Sequence, residues 1–99
     1  MKDEMWAFAD PPNVAVIVTK SVMYEQDWIA FVSHDDEDGA WQFHGSQSNP
    51  MQENDALVAS LQSIVQLDDS VRDLFDLPVG WHAWRTAREM PWLRAQTET

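Results

Sequence analysis

The stretch from Trp28 to Gly45 constrains the fold of this chain more than any other. Trp28-Ile-Ala-Phe-Val-Ser-His34 and Ala40-Trp-Gln-Phe-His-Gly45 are two apolar-aromatic runs, and between them stand four consecutive acids and a glycine, Asp35-Asp-Glu-Asp-Gly39. That order predicts a β-hairpin with an acidic tip, because glycine supplies the positive φ that a tight turn needs. Setting Asp35 opposite Ala40 places His34 against Trp41 and Val32 against Phe43 on one side of the pair. Ile29, Phe31, Ser33, Gln42 and His44 then lie on the other side, and a slip of one residue would exchange the two sets. Both sides carry bulky apolar groups, so at least one needs a helical cover.

The rest of the chain supplies partners for this hairpin. Pro11-Pro12 interrupts regular structure, which makes residues 1–12 a lead-in whose Trp6 and Phe8 dock on the body. Val14-Ala-Val-Ile-Val18 predicts a strand inside the sheet, buried on both faces. Residues 22–27 read as a polar connection and 45–54 as a mobile loop. Leu57, Leu61, Ile64 and Val65 form one helical stripe that Asn54 or Asp55 would cap; alternatively Ala56 to Ala59 make an edge strand and the helix starts at Ser60. Asp68-Asp-Ser70 starts a short helix with Val71, Leu74 and Phe75 inward, ended by Leu77-Pro-Val-Gly80. Residues 81–85 and 91–94 predict two last strands. The expected class is α+β: a small, mainly antiparallel sheet of about four to six strands with two short helices packed on one face. Residues 13–95 form the single domain, and 96–99 are expected to fray.

Charge narrows the function. Seventeen acids against six Lys and Arg give a net charge of −11, which repels phosphate backbones, so nucleic acid is not an expected partner. A basic protein is. The chain has no cysteine, which suits a reducing compartment. It lacks the N-terminal pattern of a signal peptide and any apolar run near the roughly 20 residues that span a bilayer. The expectation is a soluble, cytoplasmic chain with no membrane partner.

The order Val14-to-Val22, Phe31-to-Gly45, Leu61-to-Arg85 and Pro91-to-Arg94 resembles a group of small bacterial proteins of unknown function. That group is classed with the immunity proteins of toxin–immunity systems. Ser33-His-Asp35, Asp38-Gly-Ala-Trp-Gln-Phe43, Leu67-Asp68 and Leu77-Pro-Val-Gly-Trp81 carry the likeness. It spans roughly residues 13 to 94, most of a domain. It implies a non-enzymatic module that binds a toxin-like protein, and it transfers no catalytic residue.

Candidate sites follow from residue chemistry. Asp35, Asp36, Glu37 and Asp38 are the expected contacts for a basic partner, and Trp81, Trp84 and Arg85 are interface-type anchors. Trp81 and Trp84 would otherwise close the sheet while the arginines pair with acids. His34, His44, Asp36 and Asp38 are the candidates for a metal site, which is the alternative function together with small-ligand binding. An EF-hand register with Gly39 at its sixth position puts His34 first and Gly45 twelfth, where an Asp and a bidentate Glu are required. Ser33 and Ser60 lack a nucleophile elbow, no spacing selects a carboxylate pair, and none of the three glycines sits in a phosphate loop. No cofactor and no catalytic residue is assigned. A homo-oligomer joined through exposed tryptophans is a third reading.

Overall fold

The computed structural model describes residues 6–46 and 52–97. Its centre is a six-stranded sheet made of β1 (Ala15–Thr19), β2 (Phe31–His34), β3 (Trp41–His44), β4 (Ala56–Ser60), β5 (Trp81–Trp84) and β6 (Leu93–Gln96). The spatial order is β4-β1-β3-β2-β5-β6, with β1 and β3 parallel and every other pair antiparallel. Helices α1 (Lys20–Tyr24) and α2 (Leu61–Leu67) and a 3-10 helix (Asp69–Leu74) complete the α+β fold. The expected class and strand number hold, with one more short helix than the two expected. Residues 47–51 of the loop expected over 45–54 fall outside the described residues, and Glu53–Asp55 form a single 3-10 turn before β4.

The hairpin register is the expected one: His34 pairs with Trp41 and Val32 with Phe43. Ile29, expected on the other side with Phe31, is instead buried in the core, because β2 begins only at Phe31 and alternation does not reach back to it. Val32, Phe43, Trp41, Val16, Val18 and Ala83 form the covered side of the sheet. Against it pack Val22, Ile29, Leu61, Ile64, Val65, Val71, Leu74 and Leu77. The lead-in belongs to this core. Phe8 is buried and meets Trp41 edge-on at 5.5 Å. Trp41 Nε1 donates to Asp10 Oδ2 at 2.8 Å, and Trp6 Nε1 donates to the Asp10 carbonyl at 2.6 Å.

Four local expectations are corrected, and the open choice over residues 56–60 is decided for the strand. β1 is interior but buried on one side only, since Ala15 is exposed and Ile17 half-buried; the helices cover a single face. The connection after β1 is helical, and α1 has only five residues, too few to show a period. Residues 56–60 form the edge strand, and α2 begins after Ser60, whose hydroxyl accepts from the Ser63 N–H at 3.1 Å. Phe75 points outward, 48% exposed. The preceding turn is 3-10, with about three residues per turn, so Leu77 follows Val71 and Leu74 on the inner side instead. The end of the chain is held through Thr97: Gln96 closes β6, and Thr97 N donates to the Gly80 carbonyl at 2.7 Å.

Candidate functional site

The tip is a rigid turn. Asp35 N donates to the Ala40 carbonyl at 2.8 Å, Gly39 N to the Asp35 carbonyl at 2.9 Å, and Gly39 takes φ +74°. Its four acids are not equivalent. Asp35 Oδ2 accepts from Gln42 Nε2 at 2.8 Å, and Asp38 Oδ1 accepts from Ala40 N at 3.0 Å, so these two brace the hairpin. Asp36 and Glu37 are exposed and have no ion pair with a described residue.

A second acidic segment reaches the same end of the sheet. Gly80 N donates to the His34 carbonyl at 2.7 Å, and His34 Nδ1 lies 2.7 Å from the Leu77 carbonyl oxygen. The chain carrying Asp73 and Asp76 therefore runs into the turn beside Asp36. Arg94 ties that chain down, donating to Asp76 Oδ1 at 2.8 Å and to the Asp73 carbonyl at 2.6 Å. The Arg94 hydrogen bond holds the Asp76 carboxyl below its ordinary range.

Trp81, Trp84 and Arg85 do not form one surface. Positions 81 and 84 differ by an odd number within a strand, so their side chains take opposite faces. Trp81 packs with the core, while Trp84 stands on the open face beside Phe31. Arg85 is only 4% exposed. Its Nε donates to the Ile29 carbonyl at 2.8 Å, Nη1 to Ser70 Oγ and the Arg88 carbonyl at 2.9 Å, and Nη2 to Asp68 Oδ2 at 2.6 Å. The guanidinium also faces the Trp92 ring at 4.2 Å and the Trp28 ring at 5.8 Å. It is an internal brace and offers nothing to a partner.

The histidines diverge as expected. His34 stacks on Trp41 at 3.9 Å on the covered side. His44 meets Phe31 on the open side at 5.4 Å. They cannot share an ion, and no three His, Asp or Glu side chains gather as a metal site among the described residues. Ser60 Oγ is engaged with Ser63, with no histidine beside it.

Sequence reasoning missed one constellation. Asp27 accepts from Ser21 Oγ at 2.8 Å, Ser46 Oγ at 2.5 Å, and the Ser46 and Trp28 N–H groups at 2.9 Å. This carboxylate clamps the connection before β2 to the end of β3. It also borders a cleft of about 390 Å³, lined in part by Trp28, Leu67 and Asp68. The adjacency of Gly45 and Ser46 at the end of an apolar run was the available signal.

Asp27 and Asp68 make stability pH-dependent. Burial disfavours both charges. For Asp27 the Ser46 and Ser21 bonds, and for Asp68 the Ser70 and Arg85 bonds with the Arg85 charge, outweigh it and lower each pKa from 3.8. The unfolded chain therefore takes up these protons before the folded one does. Their stabilisation is complete above about pH 5 and is lost as pH falls through the unfolded value and then the lower folded values. Urea unfolding at a series of pH values should show a steeper acid loss for wild type than for Asp27→Asn.

Comparison with protein-family models, curated proteins and solved structures returned no match.

Proposed function

We propose that the chain is a small, non-enzymatic, immunity-like binding module that engages a basic, toxin-like protein through the hairpin tip, in the cytoplasm. The observation that carries this reading is the pair of exposed acids, Asp36 and Glu37, unneutralised by any described residue on a turn fixed by backbone hydrogen bonds. A rigid tip presents charge without an ordering cost, and a net charge of −11 steers a cation toward it. The resemblance to immunity proteins supports the same reading. The metal-binding alternative loses its ligand pair, because His34 and His44 occupy opposite sides of the sheet. No described helix is long and apolar enough to cross a membrane.

The experiment is affinity capture from the native host, followed by association kinetics with the recovered protein. Asp36→Lys with Glu37→Lys alters charge and leaves the hydrogen bonds of Asp35 and Asp38 in place. Association should slow roughly tenfold or more and lose much of its salt dependence. Unchanged kinetics in this variant and in the reversal of all four tip acids would remove the proposal.

A further inference from the structure

The outward face of the sheet differs from the rest of the surface. In a chain with 23% charged residues, no outward-facing strand position holds Asp, Glu, Lys or Arg. Its centre is aromatic: Phe31 meets His44 and His82 at 5.4 Å, and His82 leans on Trp84 at 5.4 Å. Apolar groups extend to both edges, with Phe31 37%, Val58 71% and Leu93 50% exposed. Burial lowers the pKa of His44 despite the pull of Asp35. Asp35 reaches only the rim, where Gln42 holds it.

A sheet face meant for water alternates charged and polar groups outward. A face meant for a basic partner would carry acids. A face meant for an identical, equally acidic chain must carry none, because like charges brought together oppose docking. We infer that this face is a self-association surface on which a second copy of the chain packs sheet to sheet. Two such sheets stack about 10 Å apart and within about 30° of parallel. Five strand spacings and strands of four or five residues give a footprint of roughly 24 by 15 Å. That is on the order of half the ~800 Å² per partner of a standard interface. The dimer is therefore reversible and concentration-dependent.

Sedimentation equilibrium of the purified chain tests this, from about 5 to 500 µM protein, at low and high salt. Wild type should dimerise in the upper part of this range, where weak interfaces populate. Added salt should tighten the dimer severalfold, because it screens repulsion between two acidic chains. The basic partner's association should weaken with salt, so the two proposals fail independently. Phe31→Glu and Leu93→Glu should each weaken dimerisation at least tenfold, and Phe75→Glu on the helical side should leave it unchanged. Circular dichroism verifies folding, and Leu93→Glu on the edge strand decides if Phe31→Glu does not fold. A monomer at every concentration overturns the inference. So does a dimer that survives the face variants, weakens with salt or dissolves with Phe75→Glu.

Discussion

Replacing Arg85 with alanine is expected to remove about 3–5 kcal/mol of stability, the range seen when one partner of a buried ion pair is deleted. Domains of this kind are stable by only about 5–15 kcal/mol, so the variant approaches the limit of folding. The loss has three sources. Asp68 keeps a partly buried charge without its counterion. The Ile29 carbonyl loses the Nε donor that reached it from 56 residues away. Trp92 and Trp28 lose the flat cation between them. Urea unfolding should show the midpoint falling by roughly 1–3 M. Arg85→Lys should recover little, because an ammonium cannot serve four acceptors in the fork geometry of guanidinium. Asp68→Asn should cost less than Arg85→Ala, since Ser70 and part of the Arg85 bonding persist. A wild-type midpoint in Arg85→Ala would show that the brace carries no load.

Adding a single methyl group at Gly45 is expected to be nearly as damaging, at about 2–4 kcal/mol, through overpacking and lost hydrogen bonds. A Cβ there would overlap the Asp27 carboxylate and lie 2.8 Å from Ser21 Oγ. The steric conflict displaces the clamp and releases the N–H and hydroxyl groups it satisfies. The check is a double-mutant cycle. In an Asp27→Ala background the added methyl has space, so Gly45→Ala should cost much less there than in wild type. Equal costs in both backgrounds would place the strain elsewhere.

What the sequence shows, and what it hides, divides along physical lines. The hairpin register was legible because alternation at period two and an acid-rich turn agree on one pairing, Val32 with Phe43. Residues 56–60 were ambiguous because Leu57 and Leu61 fit a helical stripe as well as a strand running into a helix. Phe75 was misplaced because a 3-10 turn and an α turn predict different inward residues from the same run. Arg85 was read as an anchor for a partner because its ligands come from Ile29, Asp68 and Ser70, which no local pattern joins to it. Within the tip the four acids divide their work: Asp35 and Asp38 brace the turn, and Asp36 and Glu37 are exposed. The uncharged outer face escaped notice because it is assembled from alternate residues of six separate segments, and each alone reads as ordinary strand.

The strand order has a consequence for how the chain is made. β1 lies between β3 and β4, pairing Ile17 with Gln42 on one flank and with Val58 on the other. Its nearest partner begins more than twenty residues downstream, and its other partner about forty. During synthesis β1 leaves the ribosome with no native strand neighbour until much of the chain has followed it. The β2–β3 hairpin needs only a short loop and is available first. Val14 to Val18, the most apolar run in the chain, thus spends that interval as an unpaired strand, and the speed of translation past residue 60 sets how long it stays so.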